Sequence, residues 1–192
     1  MVIGIDDGFF KRSWKYTVIS AIAYSVSRLR PTGLALDLIQ VDGDDSTTIV
    51  VKLVEKVISR GYNIDMILCD TIIFAGFNVM DPYRVYEHLN KPVVSIFAYP
   101  LSKRRIRKAI THVKSWQAKY NIISRVLDEY KLVLCPKGRL YIHTVGGDFD
   151  EVINTVCKLQ VYSRIPEPIH IAGVVASAIA RKLIQPLLYN PR

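Results

Sequence analysis

The sequence is poor in the devices that mark a secreted, metal-stapled or membrane-spanning chain. It has three cysteines, Cys69, Cys135 and Cys157, at scattered positions without CxxC spacing. Neither a disulfide framework nor a zinc site is expected from that usage, and a reducing cytoplasm is the compartment it fits. No charge-free run reaches the roughly 18 residues of a membrane span. The longest, 16–27 and 168–180, read as a buried strand and a buried helix, so no membrane association is expected. The N-terminal stretch MVIGIDDGFF lacks the basic start and long apolar core of a signal peptide. Internal repeats, low-complexity tracts and Gly/Ser-rich linkers are also missing, and residues 1–192 read as a single domain.

What is present is apolar material and positive charge. Half of the 192 residues are hydrophobic, enough for one sizeable core. Lys and Arg number 26 against 17 Asp and Glu, a balance of +9. A basic surplus of this size suits an acidic partner, nucleic acid first among them, and carries no information about chemistry.

Patterning orders the elements. Residues 2–5 form a short apolar strand that stops at Asp6-Asp7-Gly8. Residues 16–26 and 34–41 are β-favouring and complete a meander. A helix follows, with Asp45 or Ser46 as its cap, Ile49, Leu53, Val54 and Val57 at helical spacing, and Gly61 ending it. Then come a strand at 64–69, a loop at 71–81, a helix opened by Pro82 and a strand at 93–97. Residues 101–130 read as basic helix, broken near Ser115. A hairpin at 132–134 and 140–143, demoted to an edge by Pro136, precedes helices at 148–159 and 167–183. Strands first in a meander and then alternating with helices predict an α/β protein with a mixed sheet flanked by helices. The order is also that of a ribonuclease H-like fold, with five strands expected in the sheet.

The acidic residues gather at strand ends. Asp6 and Asp7 end the first strand, Asp42, Asp44 and Asp45 follow the third, and Asp70 ends the fourth. If the first and fourth strands are parallel neighbours, Asp6 and Asp70 sit side by side. Converging carboxylates repel unless a cation neutralises them, and hard divalent ions such as Mg²⁺ or Mn²⁺ take such oxygen ligands while leaving room for substrate phosphates. Asp6, Asp70, Asp42 and Asp45 are therefore the candidate ligands, with Asp6 and Asp70 the catalytic pair and Asp7 beside them. The plainer alternative is that the Asp-Gly stretches are turns and Asp44 or Asp45 only caps a helix.

Two further segments stay open between a functional and a structural role. The loop after Asp70 contains Phe74, Gly76, Phe77 and Asn78: a pocket that stacks on a base and offers it an amide, or a cover for the core. The segment 101–130 carries Arg104, Arg105 and Arg107 with further lysines, Trp116 and Tyr120: a face that tracks a phosphate backbone, or a solvated helix surface. Of the histidines, only His170, ahead of the last apolar helix, is a candidate to approach the sheet edge.

Taken together, Gly4-Ile5-Asp6-Asp7-Gly8, Val41-Asp42-Gly43-Asp44-Asp45-Ser46-Thr47, Asp70 with Phe74-Ala75-Gly76-Phe77-Asn78-Val79 and Asp81, and Pro166-Glu167-Pro168 resemble the signature blocks of an archaeal family known as domain of unknown function 99. The match spans essentially the whole chain. That family resembles endonuclease V, a Mg²⁺-dependent, ribonuclease H-like nuclease that cuts near deaminated bases. The resemblance implies that Asp6 and Asp70 match the first and last metal-binding aspartates. Endonuclease V has a glutamate between them, for which this chain offers only Asp42 or Asp45. The aspartate of the fourth strand is usually followed by Gly where this chain has Thr71, and relatives show Arg and His where it has His170 and Gly173. The implied activity is phosphodiester cleavage in DNA or RNA; the alternative is a binding protein that keeps the fold without turnover.

Overall fold

The computed structural model describes residues 1–184. Nine strands and six helices follow in the order β1 (Val2–Asp7), β2 (Tyr16–Ser25), β3 (Arg30–Gln40), α1 (Ser46–Ile58), β4 (Met66–Asp70), β5 (Ile73–Phe74), β6 (Asn78–Val79), α2 (Pro82–Leu89), β7 (Val93–Phe97), α3 (Lys103–Ile110), α4 (Trp116–Glu129), β8 (Lys131–Cys135), β9 (Gly138–Val145), α5 (Phe149–Lys158) and α6 (Glu167–Ile179). A single π-helical turn, Ala180–Ile184, closes the described part.

The main sheet has seven strands in the order β3-β2-β1-β4-β7-β9-β8, and β5-β6 make a separate two-stranded ribbon. The fold is a mixed α/β sheet with six helices, as expected in kind, but the expected five strands are corrected to seven. The difference is the β8–β9 hairpin. It does not stand apart but continues the sheet, with β9 antiparallel to β7 from Val93↔Val145 to Phe97↔Tyr141. The expected edge position of its first strand holds, since β8 ends the sheet.

Period-2 alternation along the strands sends apolar side chains to both faces. On one face Ile3, Ile5, Ile67 and Cys69 pack with Ile49, Leu53 and Val57 of α1, Val85 of α2, Ile110 of α3 and Val126 of α4. On the other, Val2, Leu68, Val94, Ile96 and Ile142 pack with Val152 and Val156 of α5 and Ile169 and Ala172 of α6. Helix α6 lies directly on the β1–β2 hairpin, where Ser20 Oγ donates to Ala172 O (2.8 Å) and Phe9 N to Ser177 Oγ (3.0 Å). Among the described residues, no helix is long and apolar enough to cross a membrane.

The cysteine expectation is also corrected. Cys135 and Cys157 are disulfide-bonded with their Cα atoms 5.2 Å apart, and Cys69 is the buried free thiol. Cys135 ends edge strand β8 and Cys157 lies near the end of α5. Both flank the apolar layer of Val133, Val152 and Val156 that brings helix and hairpin together. Spacing along the chain gave no sign of an approach created by tertiary packing.

Candidate functional site

The site is built at the carboxyl ends of the central strands, where parallel sheets leave their ligand crevices. Strands β1 and β4 pair in parallel with Ile5 opposite Cys69, so Asp6 and Asp70 are the next residues along two adjacent chains. The loops 8–15, 41–45 and 71–81 meet at this end. Val41 N donates to Lys15 O (3.0 Å) and Asp42 N to Ala75 O (2.8 Å). Helix α3 starts beyond the carboxyl end of β7, at the same end of the sheet.

Burial dominates the electrostatics. Asp6 is pushed up to about 9 by desolvation first, then by the charges of Asp70 and Asp7, against one hydrogen bond from Asp7 N–H that favours the anion. Asp70 rises to about 6 through desolvation. Asp7 rises to about 6 for the same reason, opposed by the hydrogen bond from Ala75 N–H. Asp6 and Asp7 point to opposite sides of their strand. Asp6 faces α6, where a β-carbon at Gly173 would fall 2.2 Å from Asp6 Oδ2. Asp7 faces the loop, with its Oδ2 2.9 Å from Ala75 N.

Asp42 and Asp45 are occupied differently. Asp42 Oδ1 accepts the Phe77 N–H at 2.7 Å. Asp45 Oδ1 accepts from Asn78 Nδ2, and both Asp45 oxygens lie 3.4 Å from Gln40 N. Among the described residues no three His, Cys, Asp or Glu side chains are grouped so as to hold a metal ion. The expected four-aspartate set is therefore not assembled; Asp6 and Asp70 adjoin, while Asp42 and Asp45 tie down a loop. Asp81 is an N-cap, accepting from Tyr83 N and Arg84 N at the start of α2.

The loop after Asp70 is likewise corrected in part. Phe74 and Asn78 are fully buried and cannot meet a base. Asn78 instead bridges Gln40 O and Asp45 through its amide nitrogen and Ser46 N through its oxygen. Gly76 and Phe77 remain half-buried. Phe77 meets His112 edge to face, with centroids 6.1 Å apart. Gly76 has φ +87°, and a side chain there would strike Asp42 Oδ1 at 2.4 Å.

In the basic segment, the break at Ser115 is real: Ser115 has φ +57° between α3 and α4. Arg104, Arg105 and Arg107 are exposed on α3. Lys119, one of the lysines of this segment, is buried. Its Nζ lies 2.6 Å from Gly43 O, 3.1 Å from Asp42 O and 3.0 Å from Asp44 Oδ1. It locks the 41–45 turn, a role its position in a basic run hides. Trp116 and Tyr120 pack against the core. His170 points outward, half-exposed, with Nδ1 3.6 Å from Glu167 Oε1, so the α6 residue against Asp6 is Gly173.

Residues 1–180 match the model of the family described as Endonuclease dU. The chain belongs to that family. A UPF0215 protein of Nanoarchaeum equitans is 31% identical over 181 residues, covering 93% of this chain and 87% of its own. Among solved structures, a protein of unknown function from Archaeoglobus fulgidus superposes with a TM-score of 0.79 at 25% identity, covering 93% and 96% of the two chains. Endonuclease V of Ciona intestinalis, solved with DNA containing an inosine, superposes with a TM-score of 0.61 at 12% identity, covering 97% and 86%. The chain therefore shares the fold of endonuclease V.

Proposed function

We propose that this chain is a divalent-cation-dependent endonuclease of ribonuclease H-like architecture that cuts a phosphodiester of DNA or RNA beside a deaminated base. The observation that carries the reading is the Asp6–Asp70 pair: two carboxylates on adjacent parallel strands, mostly buried and held above their ordinary range. Buried carboxylates in repulsion cost folding energy, and active sites are where proteins keep such arrangements. The family description and the inosine-bearing DNA in the Ciona structure support deaminated bases as the substrate class.

The donor set fits Mg²⁺ or Mn²⁺. Both prefer hard oxygens, and Mg²⁺ is commonly held by one or two carboxylates with waters and substrate phosphates completing the shell. Asp6 and Asp70 would hold the cation, and Asp42 and Asp45 would not. Bound there, it supplies charge neutralisation at the phosphodiester and acidity toward the attacking water. The protein's own residues do the rest. Asp7 N–H orients Asp6 through a 2.8 Å bond to Oδ1. Arg104, Arg105 and Arg107 of α3 offer charge to the strand's phosphates, and Gly76 and Phe77 present backbone and ring to a base. A second reading, a nucleic-acid-binding protein without turnover, draws on the absence of a third grouped ligand among the described residues.

The test is a panel of single strands and duplexes carrying one deoxyuridine or deoxyinosine, incubated with Mg²⁺, Mn²⁺ or chelator. Cleavage is expected with either cation, falling about a hundredfold or more in Asp6→Asn and in Asp70→Asn. Strands bound normally but left intact under both cations would overturn the nuclease reading and favour the second.

A further inference from the structure

We infer that Asp7 is a positioning residue that fixes the 74–78 loop against the Asp6–Asp70 pair, and so sets the distance between the base that is read and the bond that is cut. This rests on the nuclease reading above and assigns a role to a carboxylate that reading leaves without one.

The loop is held in a conformation it would not choose alone. Thr71, Ala75 and Gly76 have φ of +59°, +43° and +87°, and Asp42, across from them, has +54°. Non-glycine residues in that region persist only where surrounding bonds over-determine them. Those bonds are visible. Ala75 O accepts from Asp42 N, Phe77 N donates to Asp42 Oδ1, and Asn78 is pinned by Gln40, Asp45 and Ser46. All of these tie the loop to the turn between β3 and α1, itself locked by Lys119. Beyond the chain's own passage from Asp70 into Thr71, none reaches the strands that carry the carboxylate pair, and none reaches β1.

Asp7 makes that connection. Its Oδ2 accepts the Ala75 N–H at 2.9 Å, while its own N–H donates to Asp6 Oδ1 at 2.8 Å. One residue thus orients Asp6 through its backbone and holds the loop through its side chain. Because it sits on β1, between β2 and β4 in the sheet, the loop inherits the rigidity of the sheet centre. The half-buried Gly76 and Phe77 immediately follow the anchored Ala75, so Asp7 sets where the exposed part of the loop begins.

The test compares Asp7→Ala with Asp7→Asn, which keeps an oxygen able to accept the Ala75 N–H. Hydrogen exchange on the full chain reads the anchor without any nuclease activity. Amides of residues 75–77 should exchange about tenfold faster in Asp7→Ala, with the amides of β1 and β4 unchanged, and return toward wild type in Asp7→Asn. Fluorescence anisotropy with an oligonucleotide bearing one deoxyuridine, against its unmodified counterpart, reads the consequence. The preference for the modified strand should fall about tenfold in Asp7→Ala, with affinity for the unmodified strand retained, and recover in Asp7→Asn. Exchange at 75–77 as slow in Asp7→Ala as in wild type overturns the positioning role and leaves the nuclease reading standing. A preference that falls as far in Asp7→Asn as in Asp7→Ala, while exchange at 75–77 stays slow in Asp7→Asn, overturns it as well, since the charge rather than the anchor then matters. Wild-type protein with no preference between the strands overturns base reading itself and this role with it.

Discussion

Gly173 of α6 and Asp6 of β1 occupy each other's space: a β-carbon on the first would sit 2.2 Å from Oδ2 of the second. The helix carries hydrogen where the carboxylate needs room, and the carboxylate fills what would otherwise be a gap under the helix. An alanine at 173 is favoured over glycine in a helix interior by about 1 kcal/mol. Against Asp6 that gain is reversed, because overpacking costs about 1–3 kcal/mol. Gly173→Ala is therefore expected to destabilise the wild-type chain yet stabilise the Asp6→Ala chain by about 1 kcal/mol. Denaturant unfolding of the four members of this double-mutant cycle checks it; equal effects in both backgrounds would show that the two residues do not compete for the space.

The three carboxylates at the site make the cation-free protein sensitive to alkali. Asp6 is raised to about 9, and Asp7 and Asp70 to about 6, from an ordinary value of 3.8. Between those limits the folded chain keeps protons that the unfolded chain has released. The stability tied to these groups is thus fully present below about 4 and is lost as pH rises through 6 and then 9. In chelator, Asp6→Asn should melt at least about 3 °C above wild type at pH 9 and close to it at pH 4.5. Adding Mn²⁺ at pH 8 should raise the wild-type midpoint and leave Asp6→Asn unmoved. A difference between the two proteins that is constant across pH would contradict the cause given for the shift.

The adjacency behind that prediction was legible in the sequence, because β1 and β4 are continuous apolar runs that stop abruptly on aspartate and a meander leaves few places for the fourth strand. What escaped reading depended on contacts between distant segments. Asp42 and Asp45 look like turn aspartates or spare ligands until Phe77 and Asn78, more than thirty residues later, are seen to use their oxygens. Phe74 and Asn78 sit in an apolar loop whose two-residue strands are too short to show a period, so the chain does not reveal that they face inward. Lys119 belongs to a basic run by composition and to the 41–45 turn by contact. The β8–β9 pair reads as a hairpin from its local pattern, and it is one. That it extends the main sheet is decided by pairing with β7, which local pattern does not encode.

The exposed arginines of α3 give a prediction that depends on salt. Each phosphate contact adds about 0.7–0.9 to the slope of log affinity against log salt, depending on whether the strand is single or double. If Arg104, Arg105 and Arg107 each meet a phosphate, replacing all three by glutamate should lower that slope by about two to three and weaken modified and unmodified strands alike. Charge reversal at Lys119 should instead unfold the 41–45 turn and reduce stability, since that lysine is buried against Asp44 and two carbonyls. Salt titrations of binding by anisotropy, with circular dichroism melts alongside, separate the two effects. An unchanged salt slope in the triple variant would exclude α3 as the backbone-binding face.

The disulfide offers a test of stability independent of the site. Cys135 and Cys157 are 22 residues apart, so the bond closes a short loop that holds the edge hairpin to α5. Closing a loop of that length removes unfolded-state entropy equivalent to about 3 kcal/mol. Cys157→Ser, assayed by denaturant unfolding without reductant, should lose a comparable amount, and dithiothreitol should bring the wild-type chain to the same level while leaving the variant unchanged. Cleavage should be largely retained in Cys157→Ser, because Asp6 and Asp70 lie on β1 and β4, whereas the bond joins β8 at the sheet's far edge to α5. A variant as stable as the oxidised wild type would show that the packing of Val133, Val152 and Val156 already holds hairpin and helix together without the covalent tie.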